Sequence, residues 1–507
     1  MFCTMLIGCG KDTITTTNET GSASDIDTDI TIDYTISVVF SNSGDATVTG
    51  STSSQSVSIS DNGVTIVNNG SDVISYNLSG STSNGYLKIY SGKKQEIVLN
   101  SVSITNPSGA AINIQGPADS VSKGKVTHFV LSGSSSLSDG SSYTNTPSGE
   151  DEKATIFSEG DIIIKGSGSL TVKATGKSGI GTDDDLLFAG GTVTVNATAS
   201  TYVSNGDTTK VSGVKGKESF VMTGGTLTVT SSGTGAKGIS GDGTAEISNG
   251  TINITVTGSN FGSSSGGNGG GPGGRGGGDS SSNGVKAKGM KFDGNIVITG
   301  GTTSVSASNH EAIESKGTIT ISNGQVYAYS SDDAINAAST LTISGGYVCA
   351  YSTGNDGIDA NGNCYIKGGV VYAIGTSSPE VAIDANTEDG YKLYVEEGAT
   401  IIAIGGLESG SSLSQSCYSA SSWSSSTWYA LTVGSTTYAF KTPSSGGTPL
   451  MVSGPSTPTL KSGVTTSGGT SYFNGMMLVG ASVSGGSSVS LSSYSGGNGN
   501  GGGPGGH

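Results

Sequence analysis

Histidine is almost absent: His128, His310 and His507 are the only imidazoles in 507 residues. A zinc centre or a Ser-His-Asp relay needs imidazoles at fixed positions, so the chain is a poor vehicle for either chemistry. Cysteine is nearly as scarce. Cys3 and Cys9 fall within the first ten residues, while Cys349, Cys364 and Cys417 are scattered without a metal-ligand spacing, which argues against a disulfide scaffold. Positive charge is short as well, with 23 basic against 39 acidic residues and a net charge of −16. Nucleic acid and anionic membrane would be repelled over most of such a surface and are not expected partners. Only 12% of residues are charged, and no run is long and apolar enough to cross a bilayer.

What the chain has instead is glycine, at 86 positions, set among Ser, Thr and β-branched residues. Glycine accepts positive φ and β-branched side chains fit a pleated surface, so the composition suits an all-β fold with many tight turns. From Gly300 the text repeats every 22 to 23 residues: G-G-T-T-S-V-S-A, then N-G-Q-V-Y-A-Y from Asn323, G-G-Y-V-C-A-Y from Gly345 and G-G-V-V-Y-A-I-G from Gly368. A period in the twenties built from short alternating strands and Gly turns predicts a right-handed parallel β-helix, a solenoid whose coils bury apolar sides against one another. Such a fold grows in one dimension, so length does not set the domain count. Ile319, Ile321, Val326, Ile335, Leu341, Ile343, Val348 and Ile358 are the expected interior of these coils.

The rest of the chain divides around that repeat. Residues 1–9 end in Leu6-Ile7-Gly8-Cys9 and resemble the remnant of a lipoprotein signal, with Cys9 accepting lipid; residues 10–32 form a polar tether. The solenoid spans 33–406, interrupted at 259–283 by a Gly-rich insertion that cannot form a core. Residues 407–495 lose the period and predict an antiparallel β cap, needed because an open solenoid end exposes strand edges. Residues 496–507 are a Gly-rich tail. The expectation is a monomeric, lipid-anchored protein of the cell surface or outer membrane, touching the membrane only through its anchor.

With Ile180, Val214, Ile239, Val285, Ile313, Ile335, Ile358 and Ile383 as the buried reference of one strand, the flanking residues recur as surface columns. Coils stack about 4.8 Å apart. Glu311, Asp333 and Asp356 then form a carboxylate ladder, with Glu314, Asp359 and Asp384 beside it. Such a ladder suits a hard cation, Ca²⁺, which takes six to eight oxygens; it equally suits a solvated turn face. Lys215, Lys217, Lys286, Lys288 and Lys316 fall in the same columns. They read either as surface ion pairs or as a strip receiving uronate carboxylates. Tyr327, Tyr329, Tyr347, Tyr351 and Tyr372 alternate with buried Val and Ala, which places them outward, as packing for one another or as stacking surfaces for sugar rings.

Several motifs agree in order with one known family. The segments A-T-I-F-S-E-G-D-I-I-I-K-G-S-G-S-L-T-V from Ala154, S-G-I-G-T-D-D-D from Ser178, V-K-G-K-E-S-F from Val214 and D-G-I-D-A-N from Asp356 resemble the bacterial carbohydrate-binding parallel β-helix family. These are surface proteins, similar in shape to pectate lyases, that bind cellulose and polygalacturonate. The likeness covers about residues 60–480 and implies bound calcium, with Asp183 and Asp184 matching the family's paired aspartates. The expected function is calcium-assisted binding of an acidic, pectin-like or cellulosic polysaccharide. Lys286, Lys288, Lys316, Tyr327, Tyr329, Tyr351 and Tyr372 would contact sugar. Two alternatives stand beside it: a calcium-dependent pectate-type lyase with Lys286 or Lys316 as base, and a structural adhesin.

Overall fold

The computed structural model describes residues 26–60, 63–116, 126–144, 146–147, 150–204, 206–262 and 284–496. Cys9, residues 10–25 of the tether, 263–283 of the Gly-rich insertion and 497–507 of the tail lie outside the described residues.

The described chain is all-β, with two 3₁₀ turns and no α-helix. Each repeat contributes one short strand to each of three parallel ladders. In the first, Ile112, Ile156, Ile180, Val214, Ile239, Met290, Ile313, Ile335 and Ile358 are successive partners. The second runs Ile162, Leu186, Phe220, Ala245, Ile296, Ile319, Leu341, Cys364 and Leu393. The third runs Leu170, Val193, Leu227, Ile252, Thr303, Val326, Val348, Val371 and Ile401. These residues form one continuous apolar core, with Thr303 the single polar member of the third column. Strand alternation sends the residues between them to the outer faces.

The recurring glycine pair has a steric cause. Gly346 sits at φ +78°, and a Cβ there would lie 2.7 Å from the Gly324 carbonyl oxygen of the preceding turn. A side chain would be strained by the backbone angle and would collide with that neighbour, so each turn keeps glycine where it passes the last.

The register corrects one sequence assignment. Met290, not Val285, continues the first ladder between Ile239 and Ile313, while Val285 pairs antiparallel with Phe261. The chain returning from the insertion therefore uses five more residues before rejoining the ladder. Lys237-Gly-Ile-Ser-Gly-Asp and Lys288-Gly-Met-Lys-Phe-Asp carry that alignment in the sequence.

At the C-terminal end, Leu450–Ser453 pairs antiparallel with Thr400–Ile404 and ends the third ladder. A six-stranded antiparallel sheet follows in the order Thr470–Tyr472, Met477–Val479, Thr436–Lys441, Trp428–Val433, Thr459–Ser467, Ser482–Ser488. It lies over the outer face of the third ladder, where Leu431, Phe440, Leu460 and Met477 pack against Cys349, Tyr372, Ile374, Ile402 and Ile404. The antiparallel sheet thus covers a side of the stack as well as following its last strand.

Candidate functional site

The first ladder positions the charged columns. Two residues before each ladder position stand Lys288, Glu311, Asp333 and Asp356; one after stand Lys291, Glu314, Asn336 and Asp359. The ladder divides into two electrostatic halves.

In the earlier half, cations already meet the acids. Lys288 is buried, its Nζ 2.6 Å from Glu314 and 3.3 Å from Glu311, and Lys316 lies 2.5 Å from Glu314. Burial works against the Glu314 carboxylate, but the two ammonium groups outweigh it and hold its pKa below the ordinary value. His310 Nδ1 contacts Glu311 and stands 2.9 Å from Asp332. Burial disfavours the imidazolium, yet these two carboxylates raise it to about 9. Glu314 is therefore engaged by two ammonium groups. Glu311 groups with His310 and Asp332, neither of which the column reading included.

In the later half, acids meet acids. Ligand oxygens of Asp356, Asp359 and Asp384 lie within 4.8 Å of one another. Burial first, and then neighbouring carboxylates including Glu408 and Asp359, push Asp356 to about 8 and Asp384 to about 10. Asp333 is raised well above the usual carboxylate range by burial and by Asp359, Asp332 and Asp356. Three contacts fix the geometry: the Asn336 side-chain nitrogen donates to Asp333 at 3.0 Å and to Asp359 at 2.8 Å, and the Val381 backbone donates to Asp356 at 2.6 Å. Oxygen atoms within 4.8 Å of one another are near enough to share a single cation. Either protons or a cation must relieve the repulsion. Asn336 stands between Glu314 and Asp359 in the same column; its bridging role depends on side-chain rotamer, which spacing does not determine.

A second acidic group joins Asp161, Asp184 and Asp185. Asp184 is thus placed with acids, whereas Asp183 is taken by Lys153 at 2.6 Å and stands outside that group.

The lysine strip does not form as expected. Lys288 is buried in its ion pairs and Lys316 is held by Glu314. Lys286 follows Val285 on the returning segment, outside the register of the ladder, so the strip is interrupted there and at the buried Lys288, while Lys215, Lys217 and Lys316 stay partly exposed. The tyrosine column is also corrected. Tyr372 is fully buried beneath the antiparallel sheet; Tyr327, Tyr347 and Tyr351 are partly buried against the same cluster, and Tyr329 meets Tyr351 edge-on at 5.1 Å. Outward-facing aromatics on one ladder became the floor for another sheet, which alternation alone does not reveal. A stacked pair that the column reading missed, Tyr365 and Tyr394, lies on the outer face of the second ladder with centroids 4.8 Å apart, and Lys367 lies over the Tyr365 ring. Alternation with Cys364 and Ile366 was its available signal.

Residues 60–334 match the family model described as carbohydrate-binding domain-containing protein. The chain belongs to that family. A carbohydrate-binding domain-containing protein of Acetivibrio thermocellus is 36% identical over 126 residues, 24% of this chain and 42% of the relative; the chain spans about two fifths of that relative's length. A solved polysaccharide lyase-like protein from C. thermocellum, a gadolinium derivative, aligns at 20% identity over 75% of this chain and 99% of that one, with a TM-score of 0.33. The match to the carbohydrate-binding family takes in Glu311, Glu314 and Asp333 and stops before Asp356, Asp359, Asp384 and the antiparallel sheet.

Proposed function

We propose that the chain is a cell-surface polysaccharide-binding protein that holds calcium at Asp356, Asp359 and Asp384, with Asp333 and Glu408 beside them. Membership of the carbohydrate-binding family supports the ligand class. The observation that carries the cation is the convergence of three acidic side chains, two of which, Asp356 and Asp384, are pushed up by burial and by neighbouring carboxylates. A bound cation would offset that repulsion and offer open coordination positions to the carboxylates of an acidic glycan. This gives a protein of net charge −16 a local means of attracting a polyanion that the rest of its surface repels. The three parallel ladders with one strand each per repeat support a right-handed parallel β-helix as the architecture. Lipidation at Cys9 would anchor the protein at the cell surface, and the chain would act as a monomer.

The test is binding to polygalacturonate with calcium and with a chelator, followed in the near ultraviolet, where lyase products absorb. Calcium-dependent retention without an absorbance rise fits the proposal. Retention unaffected by chelation would remove the cation from it, and an absorbance rise would move the reading to lyase chemistry.

A further inference from the structure

A second recess lies away from the acids. Where the turn of the antiparallel sheet at 471–475 overhangs the outer face of the third ladder, a cleft of about 350 Å³ opens, within the size range of small-ligand sites, about 300–1,000 Å³. Its floor is set by register: Asn253, Ser304 and Tyr327 are successive partners across three strands, with Gln325 at the near end of the last. Its wall carries Tyr472 and Asn474.

Three properties of this cleft point to a ligand. Every lining residue is uncharged, on a protein of net charge −16. Its amides and hydroxyls each can donate and accept, as is needed to meet sugar hydroxyls that do both. The aromatic wall is pre-set: Tyr472 stacks on Tyr347 with centroids 4.0 Å apart and planes 19° from parallel, so its ring is held before any ligand arrives. The backbone beside it is strained as well. Phe473 and Asn474 adopt φ +56° and +55° in succession; asparagine tolerates this region, but phenylalanine there costs on the order of 1–3 kcal/mol, a cost typically found where a loop is held for function.

We propose that this cleft binds one neutral glycosyl unit of a polysaccharide, its apolar C–H face against an aromatic ring and its hydroxyls on Asn253, Gln325 and Asn474. The inference rests on the carbohydrate-binding reading and separates two sites, a neutral-sugar cleft and an acidic cation centre.

The test uses the full chain with cellohexaose, mannohexaose and polygalacturonate in the presence of calcium. At least one neutral hexaose should bind. Tyr472→Ala should weaken that binding tenfold or more while leaving polygalacturonate retention unchanged. Ser304→Trp fills the cleft from a rigid strand position and should do the same, which guards against misfolding of the turn in the first variant. Neutral binding that survives Ser304→Trp in a protein with an unchanged melting temperature overturns the cleft. Binding of polygalacturonate but of neither hexaose also overturns it and leaves the broader reading standing. Binding of none of the three overturns both.

Discussion

Tyr372 donates its phenolic hydrogen to the Lys441 carbonyl oxygen at 2.9 Å, joining a strand of the third parallel ladder to a central strand of the antiparallel sheet. Its ring meets Phe440 edge-on with centroids 5.5 Å apart. The aromatic body and the hydroxyl therefore stabilise the same junction by separate means, and substitution can separate them.

Tyr372→Phe keeps the packing and removes one buried hydrogen bond, so it should cost about 1 kcal/mol. Tyr372→Ala also empties the ring volume and should cost about 3–5 kcal/mol. Denaturant unfolding of the full chain measures both. Equal costs for the two variants would mean that the contact with Phe440 contributes little.

Lys288 is buried between Glu311 and Glu314, and removing one partner of such a group leaves charge uncompensated. Lys288→Met leaves the buried Glu314 with Lys316 as its one remaining ammonium partner and should destabilise by up to about 3 kcal/mol, whereas adding Glu314→Leu should recover part of the loss because the under-compensated buried acid is gone. A double variant no more stable than the single would show that the lysine acts through packing of its stem alone.

Periodicity made the parallel ladders legible, because the same apolar residue returns at each strand and its neighbours must alternate. Ile335 beside Ile358 follows from that alone. The carboxylate columns were legible for the same reason, but their division was not. Whether an acid meets Lys288 or Asp384 depends on which repeat lies next to it, and the insertion moved the register from Val285 to Met290. Tyr372 shows the other limit. An exposed face and a face covered by a distant sheet have the same alternation, so the covering sheet had to be seen.

His128 is buried on the outer side of its strand, with the Lys165 ammonium 3.0 Å from Nδ1. Burial, and then the charges of Lys165 and Lys94, lower its pKa to about 4. The unfolded chain takes up this proton near pH 6.5 and the folded chain does not. Stability is thus full above pH 6.5 and is lost as pH falls towards 4, by at most about 3 kcal/mol. Thermal unfolding between pH 7 and pH 4 should show this slope, and His128→Gln should flatten it. A slope unchanged in that variant would assign the loss to other groups.

The acid centre makes the most demanding prediction, because two effects of one double variant must move in opposite directions. Without a cation, Asp356, Asp359 and Asp384 repel, and an amide at Asp356 relieves part of that repulsion while its oxygen can still accept from the Val381 backbone. Asp356→Asn together with Asp384→Asn should therefore raise the melting temperature of the chelated protein. Calcium that binds only the folded wild type adds RT ln(1 + [Ca]/Kd), about 2.7 kcal/mol at a hundredfold excess over Kd, and the double variant should lose that gain. Calorimetric melting with chelator and with calcium reads both effects in one pair of scans. A double variant less stable than wild type under chelation, with its calcium response intact, would mean that these acids are held by hydrogen bonds for structural reasons and that the cation sits elsewhere, the group of Asp161, Asp184 and Asp185 being the next to substitute.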